Sequence, residues 1–395
     1  MQTPSIGTLA ALGIALSAGP CSAPGPDEGP AGAEPGQAPA QRTTAPAATR
    51  PHRAEPAGEK HRGVSWVAGR EVAPEDFRPL VENHVNWIVQ TPFGWQRRVD
   101  SPEITLVTSG RVYWGETDEG IRVTTELARR HGIRTMLKPH IWLSDRRDGA
   151  WRGEIRMASE AEWDQWFESY RTFILHYARL AEANGIEALC IGTELRSTVN
   201  ERPQDWRAII AEVRKVYRGR LTYGANWYGE FEEVPFWDDL DLIGIHGYFP
   251  LSTEQRPTRP ELIHGWRTYL ERIARLQKRY GKPVLFTELG YRSVRAAASK
   301  PWEWPRAGED ARVDLELQAD CYRAFFETFW DKPWFAGVYW WKWYPKDEQA
   351  GGKQHRGFTP QNKPAEKVMA QWYGRRHPDF VGTGSGTPAR TDQGN

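Results

Sequence analysis

Residues 188–195 read ALCIGTEL, and residues 284–289 read VLFTEL. Each is a short apolar run that closes on Thr-Glu-Leu, and such a run is typical of a strand that is buried on both faces. Six more apolar runs of similar length share this character, at 63–67, 85–91, 135–141, 221–226, 242–248 and 337–341. Eight strands separated by longer segments predict an α/β fold, a parallel sheet closed into a (β/α)₈ TIM barrel.

The segments between these runs carry apolar residues at intervals of three and four, as expected of helices that cover a sheet. They lie at 117–131, 160–184, 206–217, 260–280 and 313–330. Gly132, Gly185 and Gly281 follow three of them, where a left-handed residue commonly ends a helix. A doubly wound sheet is the alternative, but residues 65–69 (SWVAG) do not form the Gly-rich phosphate loop that normally follows its first strand.

Composition excludes several classes of function. The 395 residues include 52 Lys and Arg against 51 Asp and Glu, a formal net charge of +1 that provides no field to hold a nucleic acid. Cys21, Cys190 and Cys321 are too few for a disulfide framework, and their spacing matches no zinc site. The 20 tryptophans exceed what an average composition supplies, so they call for an explanation.

The two ends of the chain differ from its middle. Residues 8–19 form an apolar run too short to span a bilayer, which predicts export to the cell envelope or the extracellular space and makes Cys21 a candidate for a lipid tether to the membrane. An N-terminus that is simply disordered is the alternative. The predicted parts are a signal-like segment, a Pro/Ala/Gly-rich disordered linker, one catalytic domain and a disordered tail, at 1–20, 21–60, 61–380 and 381–395.

Glu194 and Glu288 end the fourth and the seventh predicted strands. A single Glu at a strand end is usually solvated or paired with an arginine, so neither residue alone is strong evidence of catalysis. The two are separated by three strand and helix units, which places them across the mouth of the barrel. Two carboxylates that face each other across a cleft are what glycoside cleavage requires. The pair therefore predicts a glycosidase site.

Aromatic and polar residues at the other strand ends predict a sugar-binding rim, because an aromatic face covers the C–H patch of a pyranose. Tyr248 is the best placed of them to donate a hydrogen bond to a carboxylate on the neighbouring seventh strand. For the aromatic residues, packing in the core is the alternative interpretation. The predicted substrate-binding residues are Trp66, His140, Trp142, Asn226, Trp227, His246, Tyr248, Tyr291, Trp341 and Trp343, with Lys138 and Arg292 as further polar strand-end groups.

With these residues in view, the sequence resembles glycoside hydrolase family 113, a family of retaining β-mannanases, over residues 61–375. The resemblance implies Glu194 as the acid/base, Glu288 as the nucleophile and Trp341 as the platform beneath the sugar. Thr193 departs from the Asn that many related families place before the acid/base, and His246 occupies a position where a small or acidic residue is expected. The motifs that carry the resemblance are GTEL at 192–195, FWD at 236–238, YFPL at 248–251, FTELGYRS at 286–293 and KPA at 363–365.

The function that we expect is cleavage of a β-1,4-linked polysaccharide by a two-glutamate double displacement, with endo-β-1,4-mannanase activity favoured. A β-glucan or xylan hydrolase on the same scaffold is one alternative, and a non-catalytic carbohydrate-binding envelope protein is another. The partner is then a polysaccharide or oligosaccharide. The chemistry requires no cofactor or metal, and the sequence leaves the oligomeric state open.

Overall fold

The computed structural model describes residues 58–110, 112–145, 149–303 and 311–375. Within these residues the chain forms eleven strands: β1 His61–Trp66, β2 Trp87–Gln90, β3 Phe93–Gln96, β4 Ile104–Leu106, β5 Arg134–Leu137, β6 His140–Leu143, β7 Ala188–Thr193, β8 Arg220–Asn226, β9 Ile243–His246, β10 Val284–Leu289 and β11 Phe335–Trp343.

Eight of these strands close a barrel in the order β1-β2-β5-β7-β8-β9-β10-β11, with β11 beside β1. Every neighbouring pair in the barrel is parallel. Each of the eight predicted strands contributes one barrel strand, so the (β/α)₈ prediction is confirmed. Because all eight strands run in one direction, their carboxyl ends meet on a single face, where the active sites of such barrels lie.

Helices connect the strands: α1 Arg78–Glu82, α2 Asp118–Arg130, α3 Glu160–Asn184, α4 Arg196–Glu201, α5 Pro203–Val216, α6 Arg259–Tyr280, α7 Leu315–Phe329 and α8 Pro364–Tyr373. The long α3 has the predicted bounds, and Gly185 and Gly281 end α3 and α6 with φ angles of +61° and +66°. The α5 helix begins before the predicted Trp206, since Pro203 favours the first turn of a helix. In the described part of the chain, no helix is long and apolar enough to cross a bilayer.

One predicted strand is in fact two. The predicted run at 135–141 breaks after Leu137, and His140 begins β6, which pairs in parallel with β3 in a three-stranded sheet beside the barrel. Pro139 lies between the two strands and has no backbone N–H to continue the hydrogen-bond ladder of β5. His140 therefore belongs to the small sheet rather than to the end of a barrel strand.

The core has an inner and an outer layer. Along β2, Trp87 and Val89 belong to a small cluster drawn from barrel strands, while Ile88 belongs to the large cluster that includes the helices. The same alternation recurs along β7, where Ala188 and Cys190 are in the inner cluster. Successive strand side chains point to opposite faces, so the small cluster fills the barrel and the large one lies between the barrel and its helices.

The barrel domain begins before residue 61. Lys60, which is 6% exposed, donates hydrogen bonds from Nζ to the carbonyl oxygen of Phe335 at 2.6 Å. Glu59 Oε2 pairs with Arg134 Nη1 at 2.9 Å. Both residues fall within the predicted linker at 21–60, whose end therefore needs correction, because they contact the amino-terminal side of the barrel. The rest of the linker up to residue 57, the signal-like segment and the predicted tail lie outside the described residues.

Candidate active site

Glu194 and Glu288 lie at the carboxyl ends of β7 and β10, and they are 2% and 3% exposed. One imidazole stands between them. His246, the last residue of β9, has Nδ1 at 3.1 Å from Glu194 Oε1 and Nε2 at 3.7 Å from Glu288 Oε2. The barrel therefore brings the two predicted carboxylates to one buried point at its mouth.

Glu194 has an unusual backbone, with a φ angle of +54°. This left-handed conformation costs a residue with a Cβ atom about 1–2 kcal/mol. The peptide is held by a hydrogen bond from Glu194 N to Gly224 O at 2.9 Å, which ties the end of β7 to β8. Such strain is found where the position of a functional side chain is fixed by its surroundings.

The side chain of Glu194 is bonded mainly through one oxygen. Its Oε1 accepts from Asn226 Nδ2 and from His246 Nδ1, both at 3.1 Å. Arg152 Nε lies 4.0 Å from the other oxygen, Oε2. With both lone pairs of Oε1 occupied, Oε2 is the oxygen that remains for contact with a substrate.

Glu288 has donors on both oxygens. Tyr248 donates to Oε1 at 2.5 Å, as its strand-end position predicts, and Lys138 Nζ donates to Oε2 at 2.8 Å. Burial alone would raise the pKa of Glu288, but the charge of Lys138, then that of His246, and the hydrogen bonds from Lys138 and Tyr248 outweigh it and lower the pKa to about 2. Glu288 is therefore an ionised carboxylate at neutral pH.

Lys138 also determines the tautomer of His246. Its Nζ lies 3.3 Å from His246 Nε2. An ammonium group can only donate, so in the neutral form of the ring Nε2 accepts and the ring hydrogen is on Nδ1, which donates to Glu194 Oε1. Lys138 thus contacts Glu288 directly and orients His246, which donates to Glu194.

His140 reaches the site through an arginine. Arg152 Nη1 donates to His140 Nδ1 at 2.9 Å, and the His140 ring centroid is 6.2 Å from that of His246. Burial, followed by the nearby charges of Lys138 and Arg152, holds the pKa of His140 well below its usual value. His140 is therefore a neutral acceptor that positions Arg152.

An aromatic wall covers one side of the glutamates. Trp341, near the end of β11, packs with Tyr248 and Phe358, and Trp227 and Trp302 pack against this cluster. The rings of Trp227 and Trp302 stack with centroids 4.8 Å apart. A wall of indole rings beside two carboxylates is the arrangement that a pyranose ring can stack on.

Three predicted aromatic residues, Trp66, Trp343 and Tyr291, lie in the large core cluster and are at most 3% exposed. Trp66 stacks on Phe77 with centroids 4.8 Å apart, because it points to the outer face of β1. The surroundings of these three residues therefore match the alternative interpretation, packing in the core. Trp142 is half-buried on the small sheet, where it contacts Phe93 and Trp95.

Several residues near the glutamates were not among the predicted ones. Arg152 begins a short 3₁₀ helix, Arg152–Glu154, and Trp302 lies in a loop, so no strand-end pattern could indicate them. Lys342 lies in β11, the last strand. A charged residue is unusual in such an apolar strand, and this departure could have indicated it. Its Nζ is 5.3 Å from the centroid of the Trp341 ring, and burial lowers its pKa to about 8. The described residues contain no group of three or more His, Cys, Asp or Glu that could hold a metal ion.

Residues 62–363 match the sequence model of Glycoside Hydrolase Family 113. The chain belongs to this family. Membership, together with the paired glutamates, makes it a glycoside hydrolase and sets aside the non-catalytic alternative.

Solved structures agree with the family. A β-1,4-mannanase of family 113, solved as a complex, is 28% identical with a TM-score of 0.68, and the match covers 80% of this chain and 100% of that one. The family 113 β-mannanase AaManA from Alicyclobacillus acidocaldarius, in complex with ManMIm, is 30% identical with a TM-score of 0.67 over 80% and 97% of the two chains.

A β-glucuronidase from Ruminococcus gnavus shares the fold alone, at 12% identity and a TM-score of 0.52 over 80% of this chain and 50% of that one. No curated protein matches the chain in sequence.

Proposed function

We propose that this family 113 glycoside hydrolase is a retaining endo-β-1,4-mannanase in which Glu288 is the nucleophile and Glu194 is the acid/base. The observation that carries the assignment is the difference between their surroundings. Glu288 accepts from Lys138 and Tyr248 and stays ionised, whereas Glu194 accepts on Oε1 only and has Oε2 for a proton. A double displacement needs this combination of one carboxylate and one carboxylic acid.

In the first step, the carboxylate of Glu288 attacks the anomeric carbon. The bond from that carbon to the glycosidic oxygen breaks, and Glu194 Oε2 transfers its proton to the departing oxygen. The products are a glycosyl ester on Glu288 and a free fragment with a new hydroxyl group. Tyr248 and Lys138 orient the attacking carboxylate, and Trp341 supports the reacting ring.

In the second step, Glu194 is a carboxylate and removes a proton from a water molecule. The water oxygen attacks the anomeric carbon and displaces Glu288, which returns to its ionised form. Two inversions give net retention of configuration. Asn226 and His246 donate to Glu194 in both steps, which stabilises the negative charge that this residue gains.

Mannan is the proposed substrate because the family 113 structures at 28% and 30% identity are β-mannanases. A β-glucan or xylan remains the alternative, since small differences in donor placement separate an axial from an equatorial 2-hydroxyl. The test measures reducing ends released by the full chain from mannan, glucomannan, xylan and mixed-linkage glucan, and it identifies the first-formed anomer by NMR. Fastest release from mannan with a β-anomer supports the proposal. Fastest release from xylan or mixed-linkage glucan, or an α-anomer, overturns it.

We also propose export, with Cys21 as the point of lipid attachment. The support is the apolar run at 8–19 and the Pro/Ala/Gly-rich segment that follows Cys21. Fractionation of expressing bacterial cells should place the full chain in the membrane, and Cys21→Ser should release it. Recovery of the unaltered chain from the cytoplasm would contradict export, and an unchanged membrane fraction in Cys21→Ser would contradict the lipid.

A further inference from the structure

Glu230 is a buried carboxyl group that the reaction described above does not use, and burial raises its pKa to about 8. It lies in the loop after β8 and is 1% exposed. Its Oε1 accepts from Tyr223 Oη and its Oε2 accepts from Asn226 N, both at 2.6 Å. Burying a carboxyl group is costly unless hydrogen bonds satisfy it, so a residue of this kind usually has a role beyond packing.

One connection from Glu230 runs through Asn226. Glu230 holds the backbone N–H of this residue, and Asn226 Oδ1 accepts from Tyr228 N at 2.8 Å. Because Oδ1 is used as an acceptor, the amide is oriented with Nδ2 toward Glu194 Oε1, 3.1 Å away. Glu230 thus fixes the residue that occupies one lone pair of the acid/base.

The other connection runs through Tyr223. Its hydroxyl donates to Glu230 and accepts from the backbone N–H of Leu195 at 2.6 Å. Leu195 directly follows Glu194, whose φ angle is +54°. The hydrogen bond from Leu195 N to Tyr223 therefore stabilises the peptide between Glu194 and Leu195, and with it the left-handed conformation of Glu194. Glu230 in turn fixes the position of the Tyr223 hydroxyl.

We propose that Glu230 is a positioning residue for the acid/base, because it directs Oε2 of Glu194 toward the leaving oxygen through Asn226 and Tyr223. Glu230 has no contact with the reacting atoms in this arrangement. The inference rests on the proposed role of Glu194. Its consequence is specific: loss of Glu230 should impair proton donation and leave attack by Glu288 largely intact.

The test compares two aryl β-mannobiosides, one with a dinitrophenyl and one with a phenyl leaving group. A dinitrophenolate leaves with little protonation, whereas a phenolate needs the acid. Glu230→Gln keeps the shape of the side chain but replaces one acceptor oxygen with an NH₂ group, which cannot accept from either donor. We expect kcat/KM to fall at least about tenfold more on the phenyl substrate than on the dinitrophenyl one, with KM changed less than kcat.

Glu187→Gln is the matched control. Glu187 is also a buried carboxylate, 5% exposed, and it accepts from Thr135 N at 3.0 Å, but it precedes β7 at the opposite end of the barrel. It should affect both substrates equally. Tyr223→Phe removes only the hydroxyl that links Glu230 to Leu195, and it should show the same leaving-group dependence as Glu230→Gln with a smaller loss.

The Glu194→Ala variant distinguishes failure of the positioning role of Glu230 from failure of the acid/base role of Glu194. If Glu194→Ala shows the leaving-group dependence while Glu230→Gln lowers both rates equally, as Glu187→Gln does, the positioning role is wrong and the acid/base assignment stands. If Glu194→Ala shows no such dependence, the acid/base assignment fails, and the inference fails with it. Should Glu230→Gln not fold, Tyr223→Phe decides alone: equal losses on both substrates overturn the inference.

Discussion

Lys138 contacts Glu288 directly and Glu194 only through His246, and this difference separates the roles of the two glutamates. A positive charge and a hydrogen bond at Glu288 stabilise its ionised form, whereas Glu194 accepts from Asn226 and His246 on one oxygen and has Arg152 Nε 4.0 Å from the other. The two residues end their strands in the same tripeptide, so their chemical difference comes from their neighbours.

Alanine variants of the glutamates should behave differently. Glu288→Ala should abolish turnover on every substrate, and added azide should yield a glycosyl azide of inverted configuration by entering the vacated space. Glu194→Ala should keep activity on aryl glycosides with good leaving groups, and azide should then yield product of retained configuration. NMR of the azide products checks both. Equal loss of activity in Glu194→Ala on activated and unactivated substrates would contradict the acid/base role.

Removing the positive charge beside Glu288 should shift the acid side of the pH profile. With a pKa of about 2, Glu288 stays ionised throughout the mildly acidic range. In Lys138→Met, burial still favours the protonated form, and only Tyr248 and His246 among the groups that lower the pKa of Glu288 remain to oppose it, so the pKa rises. Protonated Glu288 cannot attack, and kcat/KM should therefore decline at a pH higher by at least about one unit. Lys300→Met, at an exposed lysine, is the control. If kcat/KM declines at the same acidic pH in both variants, this account is refuted.

At the scale of elements, local sequence determines where helices end. Gly281 ends α6 with a φ angle of +66°, and a Cβ atom placed there would meet no other atom within 4 Å. A substitution at this site therefore tests backbone strain without steric overlap. The left-handed conformations of Gly185 and Gly281 were predictable from their positions just after the helical patterns, because only a residue without a Cβ atom adopts this conformation freely.

Gly281→Ala should lower the free energy of unfolding by about 1 kcal/mol, since alanine pays the strain of the left-handed conformation. Activity at low temperature should not change, because α6 ends on the side of the barrel opposite the glutamates. Denaturant unfolding and initial rates provide the measurements. Gly281→Asn should lose less stability than alanine, since asparagine tolerates this conformation better, and equal losses would argue against strain as the cause.

At the scale of the whole molecule, the barrel depends on residues just before its first strand. Lys60 and Glu59 join the start of the chain's described part to β11 and β5 through Phe335 and Arg134. A full chain shortened by residues 1–57 should retain its melting temperature, because these contacts remain. Removal of residues 1–60 should lower it by several degrees, since each lost buried contact is worth about 1 kcal/mol. Identical melting temperatures would show that the two residues contribute nothing.

Much of the tryptophan excess has a structural use. Trp163, Trp166, Trp206, Trp266 and Trp330 all lie in the large cluster between helices and barrel. Trp341 and Trp227, by contrast, line the wall beside the glutamates. Strand and helix periodicity alone does not separate these uses, because it states which residues share a face and not which face meets the substrate.

The sequence by itself determined the eight barrel strands and the two glutamates at their ends, because apolar periodicity and glycine caps are local properties of the chain. It also placed Asn226, His246 and Tyr248 on one rim, since parallel strands end on one face. Only the tertiary structure decided which residues complete the site. Arg152 comes from a short 3₁₀ helix and Trp302 from a loop, and no periodicity describes the path of either connection. Glu230 reaches Glu194 only through the contacts of Asn226 and Tyr223. The pKa of Glu288 is likewise a property of the folded chain, because burial and the approach of Lys138 exist only there.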